Sequence, residues 1–195
     1  MSDIHSGFRD PVLDSQDAFR TVLSCNAYPG RTFTLSRSVD GPSPFCIATA
    51  ALCLTLLDFE TLVWLEDEVR TDKIVDWLTF HCGSPLTKDH REAQFAIVAN
   101  AQSIPSLLEF RTGEIESPEL SSTLIVQVPS LVDGPVTRWS GPGIRDSICP
   151  RIGGLSAQLW LDREMTRELY PRGLDVFFTS GSSIVGLPRT TNVEF

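Results

Sequence analysis

Helical segments alternate along this chain with short apolar segments rich in β-branched residues, and this alternation restricts the fold more than any other feature. Residues 45–57 are apolar nearly all round, which predicts a buried helix. Residues 94–99 and 123–128 are short, β-branched and bounded by polar or proline-containing turns, which predicts strands. Buried strands interleaved with helices predict an α/β fold whose sheet is covered on both faces, a three-layer α/β/α sandwich.

The other segments extend this pattern. Asp14 is expected to cap a first helix, which ends at Pro29 and Gly30. The apolar residues of that helix fall on one face: Ala18, Phe19, Val22 and Leu23. With 195 residues, the chain is expected to form one domain over residues 1–195, in which residues 1–13 are a flexible N-terminal segment.

Two further helices are predicted. Thr71 or Asp72 is expected to cap the first of them, which stops near Gly83. The second covers residues 155–169 and carries acidic and basic residues on its outer face. Further strands are predicted at residues 31–36, 62–65, 136–139, 174–179 and 183–187, the last two as an antiparallel pair.

Composition excludes several functional classes. The net charge of −9 and the absence of a Lys/Arg run argue against a nucleic-acid partner. No apolar stretch approaches the length of a membrane span. The five cysteines are scattered, odd in number and without a C-x-x-C pair, which argues against a disulfide framework or a metal site. We therefore expect a cytoplasmic protein without a metal.

The sequence SGPGI at residues 140–144 is one of two strong local signals. Gly141 and Gly143 permit positive φ or a close approach to a ligand, and Pro142 stiffens the turn between them. Two interpretations stay open: an anion-binding nest of backbone amides, or a plain tight turn.

The second signal is PRTT at residues 188–191, which follows the last predicted strand. Arg189, Thr190 and Thr191 could offer a guanidinium fork and two hydroxyls to a phosphate or phosphonate oxygen. The alternative is an arginine that pairs with a carboxylate such as Glu194, with the threonines at an exposed edge.

Other residues carry weaker signals. His81, at the end of a predicted helix, is interpreted as a structural residue because no second ligand or nucleophile accompanies it. Arg20 is expected to form a local ion pair with Asp17, and the alternative is that it points out to a partner. Lys73 and Lys88, the two lysines, lie in solvent-like settings that do not suit a Schiff base, so we expect no pyridoxal phosphate and no other cofactor.

Several motifs in this order make the chain resemble the PhnH family, the H subunit of the bacterial carbon-phosphorus lyase system. They are FRxxLxxxxxPG at residues 19–30, TLVWL at 61–65, FHCGSPL at 80–86, GPGI at 141–144 and PRTTNVEF at 188–195. The resemblance runs from about residue 14 to residue 195, and the PRTT signature is its most specific part.

The resemblance implies a fold like the large domain of pyridoxal phosphate-dependent aminotransferases, without the cofactor, in a homodimer. It also implies a core assembly with G, I and J subunits. With the L subunit, the system replaces the adenine of ATP by an alkylphosphonate to give a ribose 1-phosphonate 5-triphosphate.

As site residues the resemblance suggests Arg189, Thr190 and Thr191, and then the following: Gly141, Gly143, His81, Arg20 and Gly30. It assigns no nucleophile or general base to any position of this sequence, so the catalytic residues stay unknown. Asn192 stands where relatives often have histidine, and an amide can form hydrogen bonds but cannot transfer a proton near neutral pH.

Three hypotheses follow. In the first, the chain is a PhnH-like subunit that acts mainly in assembly, with a polar site at or near the dimer interface. In the second, the subunit itself binds the nucleotide triphosphate or the phosphonate through Arg189 and the GPGI amides. In the third, it is an autonomous enzyme that uses pyridoxal phosphate.

Overall fold

The structure, a computed structural model, describes residues 4–36 and 38–195. Its helices are α1 (Pro11–Ala27), α2 (Ile47–Leu56), α3 (Asp72–His81) and α4 (Ala157–Arg167). Its strands are β1 (Gly7–Phe8), β2 (Thr32–Thr34), β3 (Val39–Asp40), β4 (Val63–Leu65), β5 (Leu86–Thr87), β6 (Phe95–Val98), β7 (Thr123–Gln127), β8 (Arg138–Ser140), β9 (Asp175–Ser180), β10 (Ser183–Leu187) and β11 (Asn192–Glu194). Short 3-10 turns occupy Leu107–Glu109 and Pro118–Leu120.

The central sheet has seven strands in the order β2-β10-β9-β7-β6-β4-β5. Strands β5, β4, β6, β7 and β9 run parallel to one another. Strand β10 is antiparallel to both β9 and β2, so the sheet is mixed. The hairpin predicted from residues 174–179 and 183–187 is confirmed by the pairing of β9 with β10.

Both faces of this sheet are buried, as the apolar strands predicted. Along β7, Ile125 packs in one hydrophobic core, whereas Leu124 and Val126 pack in a second core on the opposite face. The first core also contains buried residues of α1, α2 and α3, and the second contains residues of α4 and β8. The α/β class with a sheet flanked by helices is therefore confirmed; the likeness to an aminotransferase large domain stays a prediction.

Helix α1 begins earlier than the sequence suggested. Asp10 is its N-cap, because the Asp10 carboxylate accepts from the amides of Val12 at 3.1 Å and Leu13 at 3.0 Å. The Asp14 carboxylate accepts in turn from the Asp10 amide at 3.0 Å. Because β1 also pairs with β3, the segment expected to be flexible contains a strand and the first turn of a helix within residues 4–13.

The buried face of α1 also differs from the expected one. Ala18 and Val22 are buried as predicted, but Phe19 and Leu23 are exposed. Cys25 takes a core position in their place. The outer face of α1 therefore carries four large exposed apolar side chains: Val12, Leu13, Phe19 and Leu23.

Helices α2 and α3 are confirmed. Helix α2 buries nearly every residue of its first six positions, as its all-round apolar sequence requires. The Thr71 hydroxyl caps α3 by accepting from the Ile74 amide at 3.4 Å.

In the part of the chain that the structure describes, no helix combines the length and hydropathy needed to cross a membrane.

The expectation that charged residues of α4 lie on its outer face is wrong for two of them. Asp162 and Arg163 are each 2% exposed. The Asp162 carboxylate accepts from the Ser106 hydroxyl at 2.7 Å and the Leu107 amide at 2.9 Å. These partners replace the water that the Asp162 carboxylate would otherwise need, so its charge is tolerated inside the protein.

Candidate functional site

The pairing of β8 with β11 joins the two strong sequence signals. Ser140, which opens the GPGI turn, is the register partner of Asn192, which follows PRTT. The chain end is therefore a paired strand. A Cβ added to Gly141, whose φ is +137°, would lie 3.0 Å from the Thr190 carbonyl oxygen. The turn and the tail thus form one structure around a two-stranded sheet of their own.

The Arg189 guanidinium is engaged by the protein itself. Its Nε and Nη2 donate to the Asp175 carboxylate, with the shortest contact at 2.5 Å. Nη1 donates to the Pro118 carbonyl and Nη2 to the Ser121 hydroxyl, each at 2.6 Å. Its amide also donates to Asp175 at 2.7 Å. An ion pair was one of the two interpretations of Arg189, although the partner is Asp175 and not Glu194.

Arg163, a buried residue of α4, also binds the PRTT turn. Its Nη1 donates to the Leu174 carbonyl at 2.6 Å, and its Nη2 donates to the Pro188 carbonyl. The pKa of Arg163 is lowered to about 10, chiefly by burial; the positive charges of Arg189 and Arg167 contribute to the lowering, while Asp175 opposes it. A buried cation that donates to carbonyls from two segments fixes the position of the PRTT turn.

The two threonines of the turn differ. Thr191 is fully buried, and its amide donates to the Pro188 carbonyl at 3.0 Å, which closes the turn. Its hydroxyl is buried and lacks a hydrogen-bond partner within the described part of the chain. Thr190 is only half-buried and lines two surface clefts. Of this pair, Thr190 is the one that a ligand can reach.

Gly143 and Gly30 lie where other segments of the chain pack closely against their backbone. Gly143 has φ +82°, and a Cβ there would lie 2.2 Å from the Ala27 carbonyl oxygen at the end of α1. The Gly30 amide donates to the Gly186 carbonyl at 3.2 Å. A Cβ on Gly30 would strike Ile148 at 2.8 Å. The GPGI turn therefore closes against α1, which favours the plain-turn interpretation.

His81 and Arg20 lie apart from this structure. His81 Nε2 lies 2.8 Å from the His5 carbonyl oxygen, and its ring packs on Trp77, so it pins the N-terminal segment to α3. Arg20 is exposed on α1 and forms no ion pair among the described residues. The predicted Arg20–Asp17 pair is absent there, and Asp17 instead accepts from the Ser36 hydroxyl.

Two open clefts, each of about 450 Å³, flank Arg189 and Thr190. The Arg167 cleft is lined by Ser140, Gly141, Pro142, Arg167, Tyr170, Arg189, Thr190 and Asn192. The Pro118 cleft is lined by Asn26, Pro118, Glu119, Tyr170, Pro171, Asp175, Pro188, Arg189 and Thr190. In the first cleft, Arg167 Nη1 donates to the Asn192 amide oxygen.

Sequence reasoning missed three residues of this region: Arg163, Arg167 and Asp175. The signal for Arg163 was its position among Leu159, Trp160 and Thr166 on the buried side of α4. Asp175, the first residue of β9, gave no signal because its partner lies on another segment. No group of three or more His, Cys, Asp or Glu residues that could hold a metal ion occurs over residues 4–36 and 38–195.

Comparison with known proteins places this geometry in a family context. The family model described as bacterial phosphonate metabolism protein (PhnH) matches residues 6–194. Alpha-D-ribose 1-methylphosphonate 5-triphosphate synthase subunit PhnH of Rhizobium meliloti (strain 1021) is 36% identical, over 99% of this chain and 97% of that protein. The putative C-P lyase subunit protein HtxG of Stutzerimonas stutzeri is 28% identical, over 92% of this chain and 85% of that protein.

Proposed function

This chain belongs to the PhnH family of bacterial phosphonate metabolism proteins. We propose that its main role is in the assembly of a ribose 1-methylphosphonate 5-triphosphate synthase complex. It acts as the H subunit of a carbon-phosphorus lyase complex, together with G, I and J subunits and with L in the reaction. The step it supports replaces the adenine of ATP by an alkylphosphonate. We propose that the subunit is a homodimer and that the five free cysteines reflect a cytoplasmic location.

The observation that carries this proposal is the outer face of α1. Val12, Leu13, Phe19 and Leu23 are all exposed on one helix, although the opposite side of that helix already packs on the core. Clustered exposed apolar side chains of this kind mark interaction surfaces. Arg20, which has no ion-pair partner among the described residues, lies among them, and arginine is enriched at interfaces.

The state of Arg189 supports the same conclusion. A guanidinium whose three nitrogens already donate to Asp175, Pro118 and Ser121 has little capacity left for a phosphate. The alternative, in which Arg189 and the GPGI amides bind nucleotide or phosphonate directly, would require these contacts to open. We therefore interpret PRTT as a rigid support for the surface around it.

Co-expression with the cognate G, I and J subunits tests the assembly role. The wild-type chain should co-purify with them, and Leu23→Glu should remove co-purification or the homodimer, because it places a charge in the apolar face. Leu161→Glu is the matched control, since Leu161 is 46% exposed on α4 and Leu23 is 52% exposed on α1. Light scattering of each purified chain reports the homodimer separately from the complex.

Failure of the wild type to co-purify in every combination of subunits would overturn the assembly role. Equal loss for Leu23→Glu and Leu161→Glu would remove α1 as the interface. Arg189→Ala decides the alternative: loss of product by the reconstituted system, with the complex intact and the subunit folded, would assign Arg189 to ligand chemistry.

A further inference from the structure

We propose that the Arg167 cleft binds an organic phosphate or phosphonate, with Arg167 as the principal contact to the anion. This inference goes beyond the assembly role, because binding by the isolated subunit requires no partner. It also differs from a site built on Arg189, whose guanidinium is already engaged by Asp175.

Arg167 is the arginine of this region whose guanidinium is available to bind a ligand. It is exposed at the end of α4, and its contact within the described part of the chain is the neutral amide oxygen of Asn192. Glu164 and Glu168 flank it in sequence, yet no ion pair with Arg167 forms among the described residues. The Asn192 contact restrains the guanidinium beside the cleft without neutralising its charge.

The charge balance around the cleft favours an anion. Three arginines meet at the turn: Arg163 donates to Pro188, Arg189 belongs to the turn, and Arg167 donates to Asn192. Of the residues that line the Arg167 cleft, none is acidic. Asp175, which pairs with Arg189, lines the other cleft together with Glu119. The cleft is thus a cationic site on a protein whose net charge is −9.

Neutral donors and an apolar wall complete the cleft. The hydroxyls of Ser140 and Thr190 line it, and neither has a hydrogen-bond partner among residues 4–36 and 38–195. A phosphoryl group offers several acceptor oxygens, which a guanidinium and two hydroxyls can contact from different sides. Tyr170, 65% exposed, and Pro142 supply an apolar wall for an organic substituent.

The size of the cleft points to an anion that carries an organic part. Its volume of about 450 Å³ falls within the range of about 300–1,000 Å³ that is typical of small-molecule sites. Inorganic phosphate would leave most of this space and the Tyr170 ring without contact. A ligand with a phosphoryl or phosphonyl group and an organic part uses both the cationic end and the wall.

Isothermal titration calorimetry on the full chain tests this site. The titrants are methylphosphonate, ATP with a chelator present, inorganic phosphate and acetate, and each is titrated at low salt. The variant is Arg167→Gln. The matched control is Arg91→Gln, which removes the same charge from an exposed arginine in the loop between β5 and β6.

We expect Arg167→Gln to weaken binding of methylphosphonate or ATP by about tenfold or more, and Arg91→Gln by less than about twofold. Arg167→Lys should retain part of the affinity, because it keeps the charge but loses the fork. Tighter binding of ATP than of methylphosphonate would assign the site to a nucleotide phosphate, and the reverse would assign it to a phosphonate; both support the proposal.

Three results would overturn it. They are equal affinity of wild type and a folded Arg167→Gln, no saturable binding of methylphosphonate or ATP up to about 20 mM, and binding of acetate or inorganic phosphate as tight as that of the tighter of these two ligands. Thermal unfolding establishes that each variant is folded, and Thr190→Val serves as a second variant that leaves every arginine in place. Because these titrations use the isolated subunit, their outcome is independent of the co-purification that tests the assembly role.

Discussion

The backbone amide and the guanidinium of Arg189 both donate to the carboxylate of Asp175, so one acidic residue fixes both the turn and its side chain. The pair is largely shielded, with side chains 14% and 25% exposed for Arg189 and Asp175. Removal of the cation leaves a partly buried carboxylate without its ion-pair partner, which costs more than the loss of a surface ion pair.

We expect Arg189→Ala to lower the free energy of unfolding by about 2–4 kcal/mol, since a partner of a shielded charge pair is lost. A double-mutant cycle with Asp175→Ala should give a coupling energy of about 1–3 kcal/mol. Urea unfolding measures both quantities. Arg91→Ala, which breaks an exposed pair with Glu109, is the control and should cost less than about 1 kcal/mol. A cost for Arg189→Ala no larger than for this control would contradict the structure.

Gly143→Ala should destabilise the protein by at least about 2 kcal/mol, because φ is positive and the new Cβ would meet the Ala27 carbonyl. Gly181→Ala is its control: φ is +57° but nothing lies within 4 Å of an added Cβ, so only the conformational cost of about 1 kcal/mol remains. Denaturant melts of the two variants provide the comparison. Equal costs would mean that the GPGI turn does not pack on α1.

Asn192→His should introduce a pH dependence that the native amide lacks. The introduced imidazole would lie beside the Arg167 guanidinium, so its pKa should fall below the usual value of about 6.5. A histidine whose pKa is lower in the folded state than in the unfolded state binds a proton less readily when the protein is folded. The protein therefore loses stability as the pH falls below the pKa of the unfolded state.

The pKa of the introduced ring can be followed by proton NMR, and the stability by urea unfolding between about pH 5 and pH 8. We expect stability to decline toward the acidic end for Asn192→His and not for Asn192→Gln. An imidazole that titrates above about 6.5 would show that Arg167 does not face this position.

Thiol labelling near neutral pH should have one fast phase, from Cys149. Burial raises the pKa of Cys25 and Cys82 to about 12, and burial also raises that of Cys53. These three thiols are therefore protonated; Cys25 and Cys53 are also buried, Cys46 and Cys82 are half-buried, and Cys149 is exposed. Cys149→Ser should remove the fastest phase in a reaction with a chromogenic disulfide. Persistence of that phase would place a second thiol at the surface.

Local patterns predicted much of the fold. The buried helix α2 follows from a segment that is apolar all round, and the β9–β10 hairpin follows from two adjacent apolar runs. Helix α3 was located by its Thr71 cap. These features depend on residues close together in sequence, which is why the sequence alone was sufficient.

The candidate site was predicted less well, because its contacts join distant segments. Arg163 is buried in α4 because carbonyls near residues 174 and 188 accept its donors. The sequence did not show that the Arg189 guanidinium is engaged, because its partners Asp175 and Ser121 belong to other segments of the chain. The sequence of a helix does not show whether a charged side chain contacts water or a carbonyl group of another segment.

The position of β2 beside β10 has a consequence for biosynthesis. Strand β2 ends at residue 34, whereas its partner begins at residue 183. At a translation rate of about 5–20 residues per second, the nascent N-terminal region waits roughly 8–30 s for that partner to leave the ribosome. Throughout this interval the buried side of α1 lacks its contacts with β10, and its outer apolar side is exposed as well. Newly made subunits are therefore expected to depend on chaperones, and a slowed ribosome would increase their aggregation before any complex can form.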